Sequence, residues 1–176
     1  MHLYRAGAPA NSIYAVRQGL LKIVQVTVDG DERTLGLATP GEVIGLEAFS
    51  LRTYATDVIA LQPVVCCELP LSMLEHGTRI RELGTALVKL LSRATAPRLQ
   101  QTRGSIRARV TRFLLDLSER LERRGLDGQQ FALGLSRREI ADLLDTRIET
   151  VSRMMQQLHR EQAVQVHDHS VTLLRL

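Results

Sequence analysis

Through the first seventy residues, apolar and polar positions alternate in short runs; beyond about Leu71 they recur at steps of three and four. The first pattern is that of half-buried strands, the second that of amphipathic helices. "SIYAVRQG" (12–19) and "LLKIVQVTV" (20–28) are β-branched runs, and "DGDE" (29–32) after them is a hairpin-turn signal. "RTLGLATPGEVIGL" (33–46) reads as a strand broken at Pro40-Gly41, with "TDVIAL" (56–61) and "PVVCCELP" (63–70) as two more short strands. Short strands punctuated by Gly and Pro predict a small antiparallel sandwich or barrel over residues 1–75.

In the helical part, Ile80, Leu83, Leu87, Leu90 and Ala94 form a seam of alternating threes and fours. Such a seam serves a helix laid on its own sheet or a helix paired with its twin, and a dimerisation helix over 76–104 is the expectation. Pro97 disturbs that helix, because it lacks a backbone donor and clashes with the preceding turn. Gly104-Ser105 reads as a stop followed by an N-cap. Val110, Phe113, Leu114, Leu117 and Leu121 make the buried stripe of the next helix, which Gly125 ends. Residues 105–176 then continue with a helix, a turn, a helix and a terminal hairpin, "AVQVHDHSVTLLRL" (163–176). Its turn is His167-Asp168-His169-Ser170; two histidines without a third partner are expected as polar turn residues, not metal ligands. The fold class is therefore α+β.

Composition narrows the class. At 176 residues and 44% apolar content the chain can bury a sizeable core in one or two domains. No apolar run approaches the roughly 20 residues needed to cross a bilayer, and "MHLYRAGAPANSIY" has no basic-then-apolar leader, so no membrane partner is expected. Cys66 and Cys67 are adjacent, and successive strand residues face opposite ways, so no ordinary disulfide joins them and a reducing, cytoplasmic setting is expected. The net charge of +4 hides an asymmetry: residues 1–75 hold 5 Lys/Arg against 8 Asp/Glu, whereas 76–176 hold 18 against 11. A polyanion partner for the second half alone would explain it, and so would a solvated arginine-rich surface. No nucleophile–base set, phosphate-cradling glycine loop or metal-spaced cluster is present in the sequence, so an enzyme is not expected.

The sharpest signal is "LSRREIADLLDTRIETVSRMM" (135–155). Ser136 with Glu139 three residues on is a capping box, and Thr146 with Glu149 repeats it ten residues later. That spacing leaves one short helix and a tight turn, a helix-turn-helix. Ala141 allows close approach of the two helices, Asp145 occupies the left-handed turn position, and Leu144 and Val151 lock the second helix inward. Arg147, Ile148, Glu149, Ser152 and Arg153 are left toward the open N-terminal face, the part of a recognition helix that enters a DNA major groove. Arg153 can grip guanine O6 and N7, Glu149 can accept from cytosine N4, Ser152 suits either, and Ile148 can meet a thymine methyl. Glu149 has a second possible role, closing its own capping box. Arg137, Arg138 and Arg147 are candidates for phosphates, as is the terminal hairpin acting as a wing.

These blocks, with "SIYAVRQGLLKI", "DGDERTLG", "PGEVIGLEAF" and "CCELP", resemble the cAMP receptor protein / fumarate-nitrate regulator (CRP/FNR) family over nearly all of the chain. The resemblance implies a cupin-like antiparallel β-roll of the cyclic-nucleotide-binding type, a long dimerisation helix and a winged helix-turn-helix. It further implies a homodimer on double-stranded DNA that activates transcription in response to a redox, oxygen or metabolic signal. "IETVSR" is similar to the fumarate-nitrate branch, with Ile148 where the cyclic-AMP branch has a guanine-reading arginine, and implies a TTGAT-N4-ATCAA palindrome. Asp29 and Asp31 stand where relatives touch RNA polymerase.

The sensor side departs from both branches. Leu46 follows Gly45 where cyclic-nucleotide binders need a glutamate, and "TYAT" (53–56) replaces their Arg-Ser pair, so cyclic AMP is not expected. Cys67 matches one iron–sulfur ligand, but the other three belong to an N-terminal extension, and one ligand cannot hold a cluster. Cys66 and Cys67 are therefore expected as small core residues, with no cofactor. Against the resemblance, the chain is expected to begin inside the roll, at "LYRAG" (3–7), past the family's leading helix and first strand: either the protein is naturally short, or the chain is a fragment whose preceding sensor sequence is missing. A different class, a haem- or small-molecule-binding sensor using the roll as its pocket, is the alternative.

Overall fold

The computed structural model describes residues 1–27, 29–75, 104–167 and 170–174. The seam residues Ile80, Leu83, Leu87, Leu90 and Ala94 lie outside these, as do Pro97, Asp168 and His169. The chain divides into two compact units, Met1–Ala96 and Pro97–Leu176.

In the first unit the alternating runs become β1 (His2–Tyr4), β2 (Ser12–Gln18), β3 (Leu21–Val26), β4 (Glu32–Ala38), β5 (Val43–Ile44), β6 (Asp57–Ala60) and β7 (Val65–Pro70). A 3-10 turn, Leu46–Phe49, follows β5, and helix α1 (Leu71–Glu75) follows β7. The strands form two antiparallel sheets, ordered β1-β6-β3-β4 and β5-β2-β7. Their inner faces share one core: Ile13, Val16 and Ile44 from one sheet pack with Leu21, Ala38 and Val58 from the other. Period-two patterning requires this, since each strand has one apolar face to remove from water.

The chain changes sheets at Gly19, between β2 and β3. Its φ is +89°, and a Cβ there would run into the Pro63 carbonyl, so only glycine fits the corner. The β3–β4 hairpin closes over Thr27 to Asp31, where Gly30 N donates to Thr27 O at 3.0 Å and Asp31 N to Thr27 Oγ1 at 3.2 Å. Ile23 pairs with Gly36 but Val24 with Thr34, so Leu35 is the extra residue of a bulge and is 41% exposed.

The cysteine expectation holds for one residue of two. Cys66 packs against the core, and burial pushes its thiol above its ordinary value; Cys67 is exposed on the edge strand β7. Adjacent strand residues cannot both face inward.

The second unit contains α2 (Ile106–Glu122), β8 (Gln130–Ala132), α3 (Arg137–Leu143), α4 (Ile148–Arg160), β9 (Val164–His167) and β10 (Ser170–Leu173). Ser105 caps α2, its side chain accepting from Ala108 N at 3.3 Å, and Val110, Phe113, Leu114, Leu117 and Leu121 are buried. The terminal hairpin pairs Val171 with Val166, and Ser170 Oγ donates to His167 O at 2.9 Å. A third strand, β8, completes the sheet in the order β8-β10-β9. Sequence reasoning missed β8, although Phe131, Leu133 and Leu135 are buried at period two.

Candidate nucleic-acid interface

The helix-turn-helix starts as its sequence predicts. Ser136 N donates to Glu139 Oε2 at 2.7 Å and Glu139 N donates to Ser136 Oγ at 3.2 Å, closing a capping box on α3. On the inner side α3 packs against α4, and Ile140, Ala141, Leu144, Val151, Met155 and Leu158 are all within 2% of fully buried. Spacing of four and three along α4 turns Val151, Met155 and Leu158 to one face.

The second capping box does not form. The cap of α4 is Arg147, with no side-chain capping bond, and the helix begins one residue later than Thr146 and Glu149 required. The reason lies in the turn. Asp145 N donates to Asp142 O at 3.1 Å and Thr146 N donates to Ala141 O at 2.9 Å, with Asp145 at φ +48°. This is a Schellman closure of α3, and it uses Thr146 as its second residue past the helix end. One further residue is then needed before α4, so the cap falls on Arg147, and Glu149 becomes the second residue of the helix rather than the third.

That shift frees Glu149 from its competing task. Its carboxylate sits on the exposed side of the first turn of α4, where the helix dipole favours negative charge. Ile148 is 40% exposed, Arg153 is exposed and Ser152 is half-buried. Glu149 and Arg153 thus point away from Val151, Met155 and Leu158, Ser152 flanks that stripe, and Ile148, three residues before Val151, is its exposed N-terminal end. Arg147 and Arg138 are exposed at the N-terminal ends of α4 and α3. Arg137 is half-buried, and burial pulls its guanidinium below the ordinary arginine value.

Two arginines at the start of α2 belong to this region and were not predicted. Arg109 Nη2 donates to Asp145 O at 3.1 Å, and Arg107 Nη1 meets Glu161 Oε2 at 2.6 Å. Gln157 Nε2 also donates to Glu161, and these donors hold the Glu161 carboxyl below its usual range. Nothing local in the sequence pairs positions 36 and 54 residues apart.

In the first unit, Asp29 and Asp31 are exposed in the β3–β4 turn. Tyr54 is buried, its ring stacked on Tyr4 at 3.9 Å between centroids, and its hydroxyl donates to Ser12 O at 2.7 Å. The "TYAT" stretch therefore places a phenol ring inside the roll. Among the described residues no group of three or more His, Cys, Asp or Glu could hold a metal ion, and no helix is long and apolar enough to cross a membrane.

Residues 2–77 match the family described as cyclic nucleotide-binding domain, and residues 108–176 match the Crp-like helix-turn-helix domain. The transcriptional activator protein Anr of Pseudomonas aeruginosa is 32% identical, over 98% of this chain and 72% of its own length. Two solved structures are similar across 99% of the chain, each with a TM-score of 0.79. One is a CRP-family transcriptional regulator from Thermus thermophilus, 26% identical with 88% of its chain covered. The other is FixK2 from Bradyrhizobium japonicum, 28% identical with 89% covered.

Proposed function

The chain belongs to the CRP/FNR family of transcription regulators, and on that premise we propose that it binds a TTGAT-N4-ATCAA-like palindrome as a homodimer and activates transcription in response to a redox, oxygen or metabolic signal. Residues 1–75 act as the sensor, 76–104 as the dimerisation helix with Ile80, Leu83, Leu87, Leu90 and Ala94 at its seam, and 105–176 as the DNA reader. Ile148, Glu149, Ser152 and Arg153 read bases; Arg137, Arg138 and Arg147 hold phosphates; Asp29 and Asp31 meet RNA polymerase, in the cytoplasm.

The observation that carries the reading is the open first turn of α4, whose glutamate does not close a capping box. A carboxylate facing a polyanion is unfavourable unless a base donates to it, as cytosine N4 can. Selection of duplexes from a random pool tests the site: the expected product is TTGAT-N4-ATCAA, and Ile148→Arg shifts it toward TGTGA half-sites. A pool left without enrichment by the wild-type chain sinks the reading, and unchanged selection by the variant sinks the assignment of Ile148. Cyclic AMP is not the effector on this reading, because the buried, stacked Tyr54 supplies no cation for its phosphate.

One observation favours small-molecule sensing as a second reading. Glu47 Oε1 is buried in the roll without a hydrogen-bond partner. Burial and the nearby Glu47 charge together push the Tyr4 phenol well above its ordinary range. A ligand bearing an N–H or O–H donor would satisfy the carboxylate. An absorption spectrum of the purified protein distinguishes haem or iron from a colourless ligand.

A further inference from the structure

The turn between α3 and α4 is held from outside the helix-turn-helix. Asp145 is one of two non-glycine residues with positive φ among the described residues, and its carbonyl lies beyond the two Schellman bonds that close α3. The group that takes this carbonyl is Arg109 Nη2, at 3.1 Å. A guanidinium at the C-terminal end of α3 is also well placed against that helix's dipole. Its own root is fixed, because the neighbouring Val110 is fully buried and the Ser105 cap sets the start of α2. Arg109 Nε is buried without a hydrogen-bond partner, so this half-buried side chain gives up solvent to reach the turn. The first turn of α2 thus holds both the turn that precedes α4 and, through Arg107 on Glu161, the C-cap of α4.

We propose that Arg109 is a positioning residue for sequence reading: by holding the Asp145 carbonyl it fixes the turn, and hence the angle at which Ile148, Glu149, Ser152 and Arg153 are presented. The inference rests on the DNA-reading function proposed above. Bidentate contacts to base edges tolerate displacements of only about 0.5 Å, whereas phosphate contacts carry no sequence information and persist on any duplex. Loosening the turn therefore lowers discrimination more than it lowers affinity.

The test compares the full chain with Arg109→Met and with the double variant Arg109→Met/Asp145→Gly. Two duplexes are used, the one the wild-type chain selects from a random pool and a scrambled one of equal composition, at one salt concentration. Arg109→Met is expected to lose about tenfold in affinity for the selected duplex and to stay within about threefold on the scrambled one. The double variant recovers the preference, because glycine adopts the left-handed turn without an external tie. An unchanged ratio of the two affinities in folded Arg109→Met overturns the proposal, and so does an equal loss on both duplexes. Should Arg109→Met fail to fold by circular dichroism, the double variant decides alone: a restored preference supports the brace, and equal affinities overturn it. A wild-type chain that selects nothing removes the reading beneath this inference, whereas selection by the wild type with an unchanged variant removes the inference alone.

Discussion

Glu149 was visible in the sequence as a residue with two possible tasks, and the register of α4 removed one of them. The capping role needed Thr146 as N-cap, and the helix starts from Arg147. Glu149→Gln is therefore expected to leave the thermal midpoint within about 2 °C, since surface changes away from caps lie within roughly 0.5 kcal/mol. The same variant should relax discrimination at one base pair of the half-site by about tenfold, checked by fluorescence anisotropy on single-substitution duplexes. Loss of stability without loss of discrimination would return Glu149 to a structural role. Arg153 was legible because a helix that buries Val151, Met155 and Leu158 turns that position outward. Ser152 stands at the edge of the buried stripe, and Ile148 is exposed because it is the first residue of the helix. Arg109 was not legible. Its partner is a backbone carbonyl 36 residues away, and a carbonyl leaves no mark on the pattern of side chains.

At the scale of elements, the two capping motifs make a direct comparison. Ser136→Ala removes a formed capping box and is expected to cost about 1 kcal/mol, a midpoint drop of several degrees by calorimetry. Thr146→Ala removes a cap that exists only in the sequence and should cost less than about 0.5 kcal/mol. Equal losses would contradict the observed register. Gly19→Ala should be worse than either, because a side chain meets backbone there at positive φ; about 2 kcal/mol or more is expected from denaturant titration. The Arg107–Glu161 tie carries a pH dependence of known sign. A carboxyl held below its unfolded value adds stability above the unfolded pKa and loses it as pH falls through the folded one. Gln157 is the larger cause of the lowered Glu161 carboxyl and Arg107 the next. The midpoint difference between wild type and Arg107→Ala should thus shrink toward acid, and it stays small because Gln157 remains and both groups are on the surface. Strand β8 escaped notice although its alternation is in the sequence. The alternation at Phe131, Leu133 and Leu135 runs past the three strand residues, and pairing of Gln130–Ala132 with β10 is what holds them extended.

For the whole molecule, charge is partitioned along the chain: net acidic over residues 1–75, net basic beyond. Binding that depends on arginine–phosphate contacts should fall by orders of magnitude between about 50 and 200 mM salt, with a linear log–log slope in a titration; a flat response would exclude this mechanism. The family, the strand-then-helix order, the first capping box and the exposed face of α4 follow from the chain alone, because periodicity and local hydrogen-bonding chemistry are written in neighbouring residues. Tertiary structure decided the rest: the extra strand on the wing, the exposure of Cys67, the one-residue shift of the α4 cap and the arginine brace on its turn. Each of those depends on where backbone groups distant in sequence come to lie, and a backbone carbonyl or amide is the same at every position until the fold gives it a partner.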